Sequence, residues 1–200
     1  MNFKKMSPSA WMMPLFVLLG GCVVGQTIPL DYTPDVASAP STNVTVTVKA
    51  QDSRAYVVSG NKDTAYIGHY RAGLGNTWDV KTSSGISLAS HIERDLGADL
   101  QALGFKVGSA GATRQVQVSI KEWNFDGYID GKVWCEMQVT ILDPQNKVLY
   151  RHEFKDSRHI AGSVMMGAKS ATEREVPVFY RDVIRKLVRN DAGALRALRQ

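Results

Sequence analysis

Apolar residues recur along the chain with two different periods, and these periods predict its secondary structure. Alternation at every second position is typical of a strand with one buried face, whereas spacings of three and four are typical of an amphipathic helix. Val44, Val46 and Val48 alternate with polar residues and predict a strand that opens the folded domain at Asn43. One apolar stripe predicts a helix over residues 86–103, which Gly104 ends; its members are Leu88, Ile92, Leu96, Leu100 and Leu103.

The second half of the chain predicts three consecutive strands. The first strand alternates at Val116, Val118 and Ile120 until Glu122 and Trp123 reverse the pattern, which indicates a bulge or the end of the strand. The third strand covers residues 147–155 and follows a turn at residues 143–146. The second strand lies between them, and its apolar face comprises Val133, Cys135, Met137, Val139 and Ile141. Strands joined by such short turns form an antiparallel meander.

A second amphipathic helix follows the meander. It is expected to begin near residues 174–177, since Pro177 suits a first helical turn, and a short basic helix is predicted after Asp191. The buried stripe of the second amphipathic helix comprises Val176, Phe179, Tyr180, Val183, Ile184 and Leu187. Residues 51–83 have no regular period. They indicate only an irregular hairpin, a loop at residues 68–75 and a short strand at residues 78–80.

This order of elements predicts the fold class. The elements run strand, helix, three-strand meander, helix, and each helix has one apolar stripe, so both helices are expected on the same face of a single sheet. The prediction is a two-layer α+β domain with a mostly antiparallel sheet of about four strands. A short crossover through the first helix would place the first strand beside the meander.

The amino terminus has the three zones of an export signal. Lys4 and Lys5 precede an apolar run over residues 11–19, and the segment closes with Leu19-Gly20-Gly21-Cys22. That tetrapeptide resembles the bacterial lipobox, in which the cysteine is acylated and becomes the new amino terminus. We therefore expect a signal peptide at residues 1–21 and a lipid on Cys22. The alternatives are ordinary secretion and a membrane-spanning anchor, but a span needs about 20 apolar residues, and residues 11–25 offer fewer.

The position of Cys22 predicts where the chain resides. Aspartate directly after the acylated cysteine tends to retain such proteins in the inner membrane; here Val23 follows, so a lipid anchor in the outer membrane, facing the periplasm, is expected. Residues 22–42 contain three prolines and few large apolar residues, which predicts a flexible tether ahead of a single domain over residues 43–200.

Composition excludes several classes of protein. The formal net charge of +5 falls to +3 when the signal and its two lysines are removed, and this is too weak to indicate nucleic acid as a partner. Cys135 is the only cysteine besides Cys22, so no internal disulfide is expected, and its setting on a strand predicts a buried thiol. The four histidines lack metal-ligand spacing. With no nucleophile, phosphate-binding or dinucleotide motif present, we expect no catalytic residue, metal or cofactor.

Two stretches are candidates for an interaction surface. Asp52 and Arg54 follow the first strand, where they either pair with each other or contact a ligand. Val164, Met165 and Met166 lie between glycines, where methionines form an adaptable surface unless they enter the core.

The chain resembles the YajG-like family of uncharacterised bacterial lipoproteins. The resemblance lies in the Cys22 lipobox, the proline-bearing tether, Val44-Thr45-Val46 leading to Asp52-Ser53-Arg54, the Leu103-Gly104-Phe105 helix end and the last amphipathic helix. It covers most of the mature chain, although the stretch from Tyr56 to Trp78 is longer than the family's pattern. It implies an outer-membrane lipoprotein with an α+β domain, and no catalytic residues can be transferred from it.

Two functions are compatible with these features. The first is a non-catalytic accessory or interaction module of an envelope protein complex, attached to the membrane through the lipid on Cys22. The alternative is a carrier that binds lipid or peptidoglycan fragments in a cleft between the helices and the sheet.

Overall fold

The computed structural model describes residues 26–35, 39–71, 76–127, 130–161 and 167–200, and within them it contains eight strands and four helices. The strands are β1 (Gln26–Ile28), β2 (Thr45–Asp52), β3 (Tyr66–Arg71), β4 (Thr77–Thr82), β5 (Lys106–Val107), β6 (Arg114–Gly127), β7 (Asp130–Leu142) and β8 (Val148–Ala161). The helices are α1 (Ala55–Val58), α2 (Leu88–Ala102), α3 (Gly167–Leu187) and α4 (Ala192–Arg199).

All eight strands belong to one mixed sheet with β6 at its centre. On one side of β6 lie β7 and then β8, each antiparallel to its neighbour. On the other side β2 and β3 lie end to end, both parallel to β6: β2 pairs with its first half and β3 with its last residues. Beyond β2 lies β5, and beyond β3 lie β4 and then β1.

The predicted α+β class holds, but the predicted sheet of about four mostly antiparallel strands with two helices is wrong. The meander and the position of β2 beside it are found as expected. The sheet doubles in size because residues 26–28, 66–82 and 106–107 supply four further strands, which are too short to show a period in the sequence. Parallel pairing arises because β2 and β3 both connect to β6 through long crossovers.

Two element boundaries also differ from the prediction. The return strand β8 extends to Ala161 instead of ending near residue 155. The last long helix begins at Gly167, so Pro177 lies inside it and not in its first turn. In β8 the polar residues of the solvent face continue the alternation, which apolar periodicity alone does not reveal.

The core lies between the sheet and the helices α2, α3 and α4. Its centre is Trp123, whose ring is fully buried and lies 5.5 Å from that of Phe179 and 5.8 Å from that of Tyr180. The register of β6 against β7 shifts between Ile120 and Glu122. This is the bulge that the reversed pattern indicated, and it turns Trp123 toward the helices.

Gly104 ends α2 with φ of +89°, a left-handed conformation that side chains other than glycine rarely adopt. A Cβ atom added there would lie 2.3 Å from the carbonyl oxygen of Pro40. The residue therefore allows the segment before β2 to pass close to the end of α2.

We expect Gly104→Ala to destabilise the protein more than Gly111→Ala. Gly111 also has a positive φ, +66°, but a Cβ there meets nothing within 4 Å. Left-handed strain should cost about 1–2 kcal/mol at both positions, and the collision with Pro40 adds to it only at Gly104. Urea denaturation measures both free energies of unfolding; equal losses would contradict the proposed close contact.

Candidate functional site

Residues 26–35 and 39–42, here called the N-terminal segment, pack against the domain. β1 adds to the sheet beside β4, with Gln26 opposite Val80. Ile28 and Leu30 are 0% and 1% exposed and belong to the core. The expectation of a flexible tether over residues 22–42 is therefore revised for its described part.

An ionic cluster fastens this segment to two helices. Asp99 of α2 is fully buried; it accepts hydrogen bonds from the Tyr32 hydroxyl and from Arg189, which lies just after α3. The same guanidinium contacts the Tyr32 oxygen at 2.5 Å and Asp35 at 2.7 Å. Arg185 forms a second ion pair with Asp35, also at 2.7 Å. We call these five residues the clamp.

The electrostatics of the clamp favour its charged and bonded state. Burial and the hydrogen bond to Asp99 raise the pKa of the Tyr32 phenol well above its ordinary value, so Tyr32 remains a donor. The hydrogen bond from Arg189 lowers the pKa of Asp35. Burial alone lowers the pKa of Arg189, but the hydrogen bonds to Asp99 and Asp35 outweigh it and raise that pKa.

Backbone hydrogen bonds fasten the second part of the segment to the end of α2. The Ala39 amide donates to the Ala102 carbonyl at 3.0 Å, and the Thr42 amide donates to the Gly104 carbonyl at 2.7 Å. The Thr42 hydroxyl donates to the same carbonyl at 3.2 Å. The segment is thus held at both ends, by the clamp and by the carboxyl end of a helix.

Asp52 and Arg54, the first candidate interaction pair, form a buried ion pair. The Arg54 side chain is 0% exposed, and its guanidinium contacts the Asp52 carboxylate at 2.6 and 2.9 Å. Its Nη1 also donates to the carbonyls of Tyr66 and Trp123, at 2.7 and 3.3 Å. Burial alone would lower the pKa of Arg54. The hydrogen bond to Asp52 and its negative charge outweigh burial and raise that pKa, so the guanidinium stays charged. An incoming partner cannot reach Arg54 in this structure.

The remaining predicted residues lie elsewhere. Cys22 and the stretch Val164 to Met166 fall outside the described residues. Cys135 is 3% exposed, and burial raises the pKa of its thiol to about 12, which keeps it protonated. In the described parts of the chain, no three His, Cys, Asp or Glu side chains are grouped so that they could hold a metal ion. None of the described helices is both long and apolar enough to cross a membrane.

The sheet face opposite the helices is open and polar. A shallow depression of about 380 Å³ lies over β2, β6 and β7, and it is lined mainly by amide and hydroxyl side chains. These are Gln51, Gln115, Gln117, Ser119, Gln138 and Thr140, with Lys49 at the edge. Such a surface offers both donors and acceptors to a polar partner.

Sequence reasoning missed the clamp. Asp95 and Asp99 of α2 lie beside its apolar stripe, and both are buried, Asp95 accepting a hydrogen bond of 2.6 Å from Tyr180. Buried acids are almost always paired. Acidic residues next to the apolar stripe of α2 could therefore have predicted buried polar contacts. They do not identify the partners of Asp99, Tyr32 and Arg189.

The fold and these sites define the class of protein. It is an α+β domain with a mixed sheet, and its N-terminal segment packs against the domain. A family model described as an uncharacterized lipoprotein, Lipoprotein_16, matches residues 33–192. The match covers most of the chain, which therefore belongs to this lipoprotein family. The resemblance to an uncharacterised bacterial lipoprotein family is confirmed.

Several solved structures are similar at low sequence identity. Protein XCC0632 from Xanthomonas campestris is 12% identical, with a TM-score of 0.48 over 82% of this chain and 93% of that one. PelC from Paraburkholderia phytofirmans, described as a dodecamer, is 12% identical, with a TM-score of 0.45 over 84% and 95%. A minor lipoprotein from Acinetobacter baumannii is 10% identical, with a TM-score of 0.44 over 78% and 96%. No curated protein sequence matches. The family assignment rests on the family model alone.

We expect Arg54→Met to cost about 3–5 kcal/mol of stability, because it leaves the Asp52 carboxylate and two carbonyls buried without their donor. Lys62→Met, which removes the exposed ion pair with Asp79, should cost at most about 1 kcal/mol. Chemical denaturation of both variants measures the difference. A small loss for Arg54→Met would show that the pair is dispensable to the fold.

We expect Arg189→Gln to release the N-terminal segment while the rest of the sheet, from β2 to β8, stays folded. Loss of hydrogen bonds to a buried carboxylate costs about 1–3 kcal/mol, so amide exchange over residues 28–42 should accelerate by roughly tenfold or more. Hydrogen–deuterium exchange with mass spectrometry measures this. Lys186→Gln is the matched control, since Lys186 forms a partly exposed ion pair with Asp156 and is not part of the clamp; similar exchange in both variants would refute the clamp.

Proposed function

We propose that the chain is an outer-membrane lipoprotein, acylated at Cys22 and facing the periplasm, whose domain is a non-catalytic accessory or interaction module of an envelope complex held close to the bilayer. The N-terminal segment carries this proposal. Its described parts, residues 26–35 and 39–42, pack against the domain, which argues against a long tether.

The remaining linker is very short. Only residues 23–25 separate Cys22 from β1, and a fully extended chain spans at most about 3.3–3.6 Å per residue, which gives a reach of about 14 Å. A free segment up to residue 42 would instead reach about 60–70 Å. The end of the sheet where β1 begins would therefore lie next to the membrane surface.

The sequence and the family support the anchor. The charged start, apolar run and small residues before Cys22 form the expected signal, and the family is one of lipoproteins. Two or more acyl chains attach a protein stably, whereas one chain binds only marginally. Val23 after the cysteine favours the outer membrane.

The packing favours an interaction module over a carrier. The central space between the helices and the sheet is occupied by large, fully buried side chains, among them Trp123, Phe125, Phe179 and Tyr180; an open depression remains at its edge, between α2, β2 and β5. The polar depression over β2, β6 and β7 lies on the opposite face and opens to solvent. It is the surface we assign to a protein partner of the envelope.

We expect Cys22→Ser to abolish labelling by a palmitate analogue and, when an ordinary cleavable export signal replaces residues 1–21, to move the protein from the membrane fraction to the soluble periplasm. Insertion of about 12 Gly/Ser residues after Gly25 should keep the anchor but release the domain from the surface. Fractionation and acyl labelling of cells measure both effects. Membrane attachment of Cys22→Ser behind the replaced, cleaved signal would refute the lipid anchor.

The partner is tested by photo-crosslinking in cells. A photoreactive residue at Gln117 or Gln138 should give the same protein adduct, whereas Arg196 on the helical side should not. The inserted linker should weaken that adduct several-fold if proximity to the membrane matters. Adducts of equal yield at all three positions, or none at Gln117 and Gln138, would refute the assigned surface.

A further inference from the structure

β8 is a long edge strand. It pairs with β7 along its whole length, from Val148 opposite Leu142 to Ala161 opposite Asp130. Among the described strands, none pairs with its other side. Every second residue of an antiparallel strand directs its peptide groups to one side, so this edge presents a row of unpaired donors and acceptors.

The helix layer covers this edge only in part, through ion pairs of α3 with Asp156 and Arg158. On β7 the side chains beneath the helices are fully buried, as at Val133, Met137 and Val139. On β8 the side chains of the same face are half-buried from Tyr150 to Arg158, and Ile160 is buried. Phe154 is one of them; it packs against the core on one side and remains accessible on the other. A further strand could therefore lie beside β8 and cover Phe154.

The charges along β8 alternate in sign. A strand that pairs with this edge must therefore carry the opposite charge at each facing position. Proteins commonly carry charged side chains on an edge strand, which prevents pairing with other chains. If all these charges had one sign, the strand would also repel the same strand of a second copy. Here Arg151, Glu153 and Lys155 succeed one another on the open face, whereas Asp156 and Arg158 both lie on the face toward the helices. A strand of the opposite pattern is required, and an antiparallel strand of the same sequence supplies it.

Registers with the two-fold axis through His152, Phe154 or Ser157 each set opposite charges against each other, and the one through Phe154 also brings the half-buried Phe154 side chains of the two copies together. When the two-fold axis passes through Phe154, Glu153 lies opposite Lys155 of the second copy and His152 lies opposite Asp156. Tyr150 lies opposite Arg158, whose guanidinium also pairs with Asp182 of α3. Each contact occurs twice by symmetry. Moving the axis to Glu153 or Lys155 places two like charges against each other, which is destabilising.

We propose that β8 pairs with β8 of a second copy in this antiparallel register, so that the sheet continues across a homodimer with Phe154 on its axis. Glu153, Lys155 and Asp156 now bind Lys121, Glu136 and Lys186 at 2.8, 2.9 and 2.7 Å. These pairs are all partly exposed, and exposed pairs contribute little. Sharing them with the second copy therefore meets little opposition.

Disulfide trapping in the purified full-length protein tests the register. Residues opposite each other on the axis have Cα atoms about 4.5–5.5 Å apart, within the range that a disulfide spans. Phe154→Cys should therefore form a covalent dimer on mild oxidation. Glu153→Cys should form at least about fivefold less, because two residues of strand offset take its Cα pair beyond about 7 Å. The parent chain, with buried Cys135, gives the background.

Charge reversal tests the same register without altering Phe154. Sedimentation should show Lys155→Glu shifted toward monomer by about tenfold in dissociation constant, and Glu153→Lys/Lys155→Glu should restore the dimer. Equal trapping at residues 153 and 154, a monomeric parent chain, or no recovery in the double variant would each overturn the proposal. These readouts do not depend on Cys22 acylation or on an envelope partner, so their failure leaves the proposed function intact.

Discussion

The buried guanidinium of Arg54 joins the three strands around which the sheet is organised. β6 is longer than either neighbour on its parallel side, so β2 and β3 must share that side and leave a junction between them. Arg54 lies at this junction. It binds the Asp52 carboxylate at the end of β2, a carbonyl at the start of β3 and a carbonyl of β6 just beyond the bulge. A charged group is retained there because it satisfies backbone oxygens that no strand can reach.

The Arg54 site also explains the path of the chain through residues 53–65. Tyr56 of α1 donates its hydroxyl to the Trp123 carbonyl at 2.8 Å, and it lies beneath the guanidinium at 5.5 Å. The same bulge that turns the Trp123 side chain into the core leaves its carbonyl oxygen free to accept from Arg54 and Tyr56. Core packing and the polar junction are therefore two consequences of one irregularity in β6.

Much of the fold could be predicted from periodicity, and the limits of that prediction have physical causes. The regular patterns of residues 44–48, 88–103 and 116–141 correspond to long elements with one buried face, and these were located correctly. β1, β3 and β4 were missed or incomplete, because strands of three to six residues at a sheet end show too few alternations. The clamp could not be predicted, since ion pairs between residues 32–35 and 185–189 depend on tertiary structure alone. Asp52 and Arg54 were identified as a pair, whereas their burial became visible only in three dimensions.

The clamp also sets an order of events during folding. Asp35 and its partner Arg189 are separated by 154 residues in sequence, and contacts between such distant residues form late. A chain that leaves the secretion channel amino terminus first presents its N-terminal segment long before Arg189 emerges. For a lipoprotein of the proposed kind, the residues after Cys22 would stay extended while the acyl-transfer enzymes act. They would become part of the sheet once translation and export have ended, so that completion of the chain itself determines when the domain is drawn against the membrane.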